Sequence, residues 1–131
     1  MRAMSNLETV RSFYSGAAAG DLDAIRSILA PRLIWSQTPG FPNAQTFHTP
    51  DEVMEGVFGT LGDEWTGFKG VPHEFIDGGD QVVVLGTYSG TSKATGRSFE
   101  APFAHVFTVD RDAIVQMRQY TDTALVHAAW R

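Results

Sequence analysis

The 131 residues contain no cysteine. That excludes disulfides, thiol nucleophiles and Cys-ligated zinc or iron–sulfur centres, and it fits a cytoplasmic protein. No run of Lys and Arg occurs, and the formal net charge is −5. Both argue against nucleic acid or an anionic membrane as the main partner. No apolar stretch approaches the roughly 18 residues of a membrane-spanning helix. None follows Met1-Arg2-Ala3-Met4 in the manner of a signal peptide. No G-x-S-x-G, phosphate loop or dinucleotide fingerprint is present. His48, His73, His105 and His127 form no i, i+4 pair, so no metal site is expected. No residue pattern asks for a cofactor.

What is present reads as one globular domain over residues 1–131, with 43% apolar and 19% charged residues. Ser5-Asn6-Leu7-Glu8 has the form of a capping box. Leu7, Val10, Phe13, Tyr14 and Ala17 then recur at helical spacing until Gly20. Asp21 caps a second helix with Leu22, Ile25, Ile28 and Leu29 on its apolar face, and Pro31 stops it. Leu33 to Gln37 reads as a short strand. Thr38 to Phe47 is a Gly/Pro/Asn-rich loop, either a tethered surface loop or a flap over a pocket. Thr49-Pro50-Asp51-Glu52 opens a third helix. Gly56, Gly59 and Gly62 weaken it, and their spacing suits close approach of another backbone. From about Phe68 the pattern is that of long strands: Val71–Ile76, Gln81–Ser92, Ser98–Val109 and Ala113–Thr121, with turn signals between them. A terminal helix follows, for which Asp122 or Thr123 is the cap.

This order predicts an α+β domain, with helices packed on one face of a curved antiparallel sheet. Such a sheet wraps a cone whose mouth suits a small molecule. Gln116 to Asp122 is the stretch on which function turns. Arg118, Tyr120 and Asp122 share one parity of the last strand, so they line either a polar pocket or the solvent face. His105 lies between Phe103 and Phe107 on an apolar face.

The element order resembles the nuclear-transport-factor-2-like superfamily. The resemblance is carried by the Gly20-Asp21 junction, the Gly78-Gly79-Asp80 hairpin and the ending Arg118-Gln119-Tyr120-Thr121-Asp122-Thr123. The nearest likeness is to SnoaL-like and ketosteroid-isomerase-related proteins. The resemblance implies a cone-shaped, cystatin-like or ketosteroid-isomerase-like α+β fold, with N-terminal helices on the concave face of the sheet. It also implies a deep apolar cavity and homodimers packed through the sheets. Steroid isomerisation by the Tyr/Asp/Asp mechanism is disfavoured. Its base position holds Gln37 and its tyrosine position holds Phe13, with Tyr14 turned ~100° away. Its second Asp position falls at Ala104 or His105. Polyketide cyclases fit better and place a carboxylate at Asp122 and an imidazole at His105.

The expected catalytic group is therefore Asp122 as base, with His105 and Tyr120 as polar partners. Trp35, Gln37, Phe41, Phe58, Tyr14, Phe103 and Arg118 are the expected substrate-binding residues. The expected partners are a small hydrophobic carbonyl compound and a second copy of the chain. Plainer roles stand beside these: Asp122 as a helix cap, His105 as a hydrogen-bonded core residue, and Arg118 paired with Glu100 or Asp122. The whole chain could equally be a non-catalytic binding domain or a dimerisation module.

Overall fold

The computed structural model describes residues 4–131. Met1-Arg2-Ala3, the head of the segment read as lacking a signal-peptide stretch, lie outside the described residues. The capping box forms as the sequence specifies. Ser5 Oγ accepts from Glu8 N at 3.0 Å, and Ser5 N donates to Glu8 Oε1 at 3.2 Å. It opens helix α1, Asn6–Ala19. Gly20, at φ 67°, closes it in the left-handed conformation. Asp21 then accepts from Ala24 N at 3.0 Å and starts α2, Leu22–Ser27.

The first strand, β1, runs Leu29–Ser36 and so begins before Pro31. The sequence reading ended a helix there instead. Strand pairing tolerates Pro31 because the register with the last strand slips between Leu29 and Ile34. A two-residue strand β2 is Thr46–Phe47, and helix α3 is Pro50–Val53, capped by Thr49. The expected third helix is not continuous. A π-helical segment, Met54–Gly59, separates α3 from α4, Thr60–Glu64. Asn43 Nδ2 takes the Gly56 carbonyl at 2.9 Å. What Gly56 admits is the ring of Phe47 and not another backbone: a Cβ there would lie 2.2 Å from Phe47 Cε1. Gly62 faces open space.

Four long strands follow: β3 Trp65–Asp77, β4 Gln81–Ser92, β5 Ser98–Asp110 and β6 Ala113–Thr121. Helix α5, Thr123–Trp130, ends the chain. The strands form one curved open sheet in the order β2-β1-β6-β5-β4-β3. All pairings are antiparallel except β1 with β6, which is parallel. No helix among the described residues is long and apolar enough to cross a membrane.

The inner face of the sheet carries Val82, Val84 and Tyr88 from β4, Phe103, His105 and Phe107 from β5, and Ile114 and Met117 from β6, all buried. Helix α1 lays Val10, Phe13 and Tyr14 on this face. Each such side chain contributes about 1.5–3 kcal/mol through burial. Gly86 is the closest point in this packing. It pairs with Phe103, whose ring lies over it. A Cβ there would sit 2.3 Å from both Phe103 Cζ and the Val71 carbonyl oxygen.

These two glycine environments give opposite expectations. Gly86→Ala must displace a strand backbone and should lower unfolding free energy by about 1–3 kcal/mol. Gly62→Ala, in a helix with no neighbour to clash, should raise it by about 0.5–1 kcal/mol. Urea denaturation of the two variants checks this. Equal effects would contradict the packing described.

Candidate functional site

The inner face holds one buried polar chain. His105 is 5% exposed and sits between two phenols. Its Nδ1 lies 2.5 Å from Tyr14 Oη and its Nε2 lies 2.5 Å from Tyr88 Oη. Gln119 stands directly across the β5–β6 ladder from His105 and donates through Nε2 to Tyr88 Oη at 2.9 Å. Thr38 N donates to Gln119 Oε1 at 3.0 Å, and Thr38 Oγ1 donates to the Gln119 carbonyl at 2.5 Å. A backbone N–H only donates, so the Gln119 atom facing Thr38 is the oxygen, and its amide nitrogen must face Tyr88.

Aromatic rings surround this chain. Phe103 stacks on His105 with centroids 4.1 Å apart and meets Tyr88 at 4.5 Å. Phe75 and Phe107 stand edge-on to Tyr14. Burial in this shell pushes the His105 pKa from 6.5 down to about 3, so the imidazole is neutral at ordinary pH. Burial also pushes both phenols up, and Tyr14 is raised further by its neighbour Tyr88. The three rings are therefore neutral together.

Two phenols and one neutral imidazole carry three polar hydrogens. Only two hydrogen bonds join the three groups, and Gln119 arrives at Tyr88 as a donor. One phenolic hydrogen is therefore left without an acceptor in this chain. Other buried polar atoms among the described residues also have no hydrogen-bond partner: the donors Trp35 Nε1, Gln37 Nε2, Trp65 Nε1 and Arg118 Nε, with Ser92 Oγ and the acceptor Glu64 Oε2. No Asp or Glu is among the buried residues described. No group of three or more His, Asp or Glu among the described residues is gathered as a metal site.

Of the residues singled out in the sequence, the structure gathers some and separates others. His105, Tyr14 and Phe103 are in the buried cluster. Helix α1 lies flat enough on the sheet that both Phe13 and Tyr14 are buried, despite the turn between them. Phe41 is buried in the 38–47 loop and packs on Tyr88 at 5.6 Å and Phe68 at 6.1 Å. Trp35 packs between Phe13 and Phe107. Phe58, half-buried, faces Phe13 at 6.3 Å. Asp122 and Tyr120 do not share a cavity with His105. Tyr120 is 51% exposed on the outer sheet face, paired with Ala104. Asp122 is exposed and caps α5, accepting from Ala124 N at 3.1 Å and Leu125 N at 3.3 Å. Arg118 pairs with Val106 and Ser36 in the ladder, away from the cluster.

The residues that sequence reasoning passed over are Tyr88, Gln119 and Thr38. Tyr88 shares parity with Val82 and Val84, and that signal was available. Gln119 was hidden by a slip in the β5–β6 register between Thr108 and Val109. The slip lets both Ile114 and Met117, three apart, point inward. Open depressions lie elsewhere on the surface. One of about 610 Å³ is lined by Thr66, Ser89, Thr91, Ser98 and Glu100. Another of about 280 Å³ lies beside Asn43, Glu52 and Glu55. Neither includes a member of the buried polar chain.

Comparison with known proteins agrees with this architecture. The SnoaL-like domain family matches residues 10–117. An NTF2-like protein from Burkholderia thailandensis E264 is 39% identical, with a TM-score of 0.95, over 100% of this chain and 99% of its own. TerC, co-crystallised with polyporic acid, is 27% identical, with a TM-score of 0.86, over 95% of this chain and 96% of its own. A candidate SnoaL-like polyketide cyclase from Jannaschia sp. CCS1 is 19% identical over 99% of this chain and 97% of its own. Its TM-score of 0.80 reflects a shared fold. No curated protein matches the chain.

The neutral His105 has a measurable consequence. In the unfolded chain it binds a proton below about pH 6.5; in the folded chain it does not until about pH 3. Its contribution is therefore complete above pH 6.5 and is lost as pH falls, by about 1.4 kcal/mol per unit. Between pH 7 and pH 5 the wild-type protein should lose about 2 kcal/mol more than His105→Gln. Urea unfolding across that range checks it, and parallel losses in the two proteins would refute it.

Proposed function

The chain belongs to the SnoaL-like domain family, and on that premise we propose that it holds an apolar, oxygen-bearing small molecule against the Tyr14–His105–Tyr88 relay. The surplus phenolic hydrogen donates to a carbonyl or enolate oxygen of that molecule. The observation that carries the reading is the count of three hydrogens for two hydrogen bonds. Trp35 Nε1 and Gln37 Nε2 support it, because they are further buried donors without acceptors. A buried donor left unpaired costs about 1–3 kcal/mol. No Asp or Glu is among the hydrogen-bond partners of the relay or of these spare donors, which suits a ligand rich in acceptor oxygens. Polyporic acid, found with TerC, is of that chemistry: an aryl-substituted hydroxyquinone with acidic enolic oxygens.

Donors already oriented in a water-poor shell stabilise negative charge as it forms on oxygen. Cofactor-free isomerase, cyclase or lyase chemistry on a hydrophobic carbonyl compound is the enzymatic form of this proposal. Binding without turnover is its non-catalytic form. In either form His105 keeps the polar role expected of it, while Tyr14 and Tyr88 replace Tyr120 as donors. Asp122 acts through the stability of α5.

Titration with polyporic acid, followed by tryptophan fluorescence, tests this reading. Wild-type protein should bind, and Tyr14→Phe should weaken binding about tenfold, the worth of one hydrogen bond to a charged oxygen. Asp122→Ala should lose about 1 kcal/mol of stability as a helix cap with affinity unchanged. An unaltered affinity in Tyr14→Phe, or no binding by the wild type, would overturn it.

A second copy of the chain is the partner that suits the outer sheet face. Ile34, Val71, Leu85 and Tyr120 are exposed there on four strands. Exposed apolar side chains on one sheet face suit an interaction surface. Sedimentation should give a dimer for the wild type and a monomer for Leu85→Glu. A wild type that stays monomeric at every concentration would contradict it.

A further inference from the structure

We propose that the 38–45 loop is a strap whose closure sets the direction of the buried hydrogen-bond chain, with Gln119 as the positioning residue between them. The inference rests on the relay reading above for its purpose, but its geometry stands on the free protein. The strap is tied down at four places, one of them the backbone bond from Gln37 N to the Gln45 carbonyl at 3.3 Å. Thr38 makes two hydrogen bonds to Gln119. His127 Nε2 on α5 donates to the Gly40 carbonyl at 2.5 Å. Asn43 Nδ2 donates to the Gly56 carbonyl of the π-helical segment at 2.9 Å. Between the ties the backbone turns at Gly40, φ 98°, and Asn43, φ 55°. Phe41 from the strap covers Tyr88.

Because Tyr14, Tyr88 and His105 are buried, a ligand reaches them only when something that covers them moves. The strap is the cover held by a few hydrogen bonds and the buried side chains of Phe41 and Pro42, whereas α1 and the strands are held by backbone ladders. While the strap is closed, Thr38 N–H fixes Gln119 Oε1, and Gln119 Nε2 must donate to Tyr88. With Tyr88 Oη already accepting from Gln119, the head-to-tail direction is favoured over one in which Tyr88 accepts twice and donates to nothing. Thr38 N–H donates to Gln119, Gln119 to Tyr88 and Tyr88 O–H to His105 Nε2. His105 Nδ1–H then donates to Tyr14, and the Tyr14 O–H is the surplus donor. Hydrogen bonds aligned head to tail in this way strengthen one another.

Once the strap lifts, Gln119 loses the Thr38 N–H that held its oxygen away from Tyr88. A half-turn of the amide places Oε1 as an acceptor for Tyr88 O–H. The chain then reverses. Tyr14 O–H donates to Nδ1, Nε2–H donates to Tyr88, and Tyr88 O–H donates to Gln119. All three hydrogens are now used, and no phenolic donor is left for a ligand. The open strap thus admits a ligand to a relay that is silent, and closure over the ligand turns Tyr14 into a donor. The imidazole tautomer records the state: Nδ1–H when closed, Nε2–H when open.

The test reads that tautomer in the free protein by 15N NMR of labelled histidine, so it does not depend on any ligand being bound. Wild-type His105 should be the Nδ1–H tautomer. In Gln119→Glu the carboxylate accepts from both Thr38 and Tyr88, so His105 should switch to Nε2–H. His127→Ala, which removes only the tie at Gly40, should shift the population toward Nε2–H and keeps the test available if the first variant fails to fold. An Nε2–H tautomer in the wild type would overturn the proposal. So would a tautomer unchanged in His127→Ala while amide exchange shows the strap loosened. Loss of polyporic acid binding in Tyr14→Phe with no tautomer change in these variants would leave the relay reading intact and refute the strap's control of it.

Discussion

A neutral imidazole buried between two phenols is the constraint on which the rest of this interior depends. Burial alone would expel a charged His105, so the ring stays neutral and offers one donor and one acceptor. Both must be met inside the protein. Tyr14 meets one from helix α1 and Tyr88 meets the other from β4. The placement of α1 over the sheet is thus fixed by a polar requirement as well as by Val10 and Phe13. The Ser5–Glu8 capping box and the left-handed Gly20 that bound α1 set where Tyr14 can reach.

The aromatic shell serves the same constraint from outside. Phe103 can stack on His105 because Gly86 leaves room beneath it. Phe75, Phe107 and Phe41 close the remaining sides. In so dry a setting each hydrogen bond is stronger than in water, and each unmatched donor is more costly. That is why the surplus hydrogen carries more weight than the open depressions on the surface. Those depressions have volume and polar side chains, but no residue with a buried unpartnered atom lines them. Gln119 and Thr38 extend the chain into the 38–45 loop and join it to the deepest polar atoms of the domain.

Much of the fold was legible in the residues. Capping signals at Ser5, Asp21 and Thr49 and the alternation of Phe103, His105 and Phe107 lead directly to the observed helices and to the inward face of β5. The buried polar chain was legible only in part. His105 could be found because its neighbours at i±2 are Phe. The last strand misled because one extra residue near Val115 reverses its parity. Arg118 and Tyr120 then fall outside, and Gln119 falls inside. No alternation rule shows such a slip before the partner strand is in place. Asp122 carried two readings in the sequence, and the hydrogen bonds to Ala124 and Leu125 show it capping α5. The break at Met54–Gly59 depends on Asn43 and Phe47, contacts that a helix pattern does not contain.

The central claim is that three neutral rings share three hydrogens over two bonds, leaving one phenolic hydrogen for a ligand. Neutron diffraction from a deuterated crystal tests it most directly. The account predicts deuterium on a single nitrogen of His105 and one phenolic deuteron, on Tyr14, that points to no acceptor within the chain. Deuterium on both ring nitrogens, or a protein acceptor for every phenolic deuteron, would contradict it.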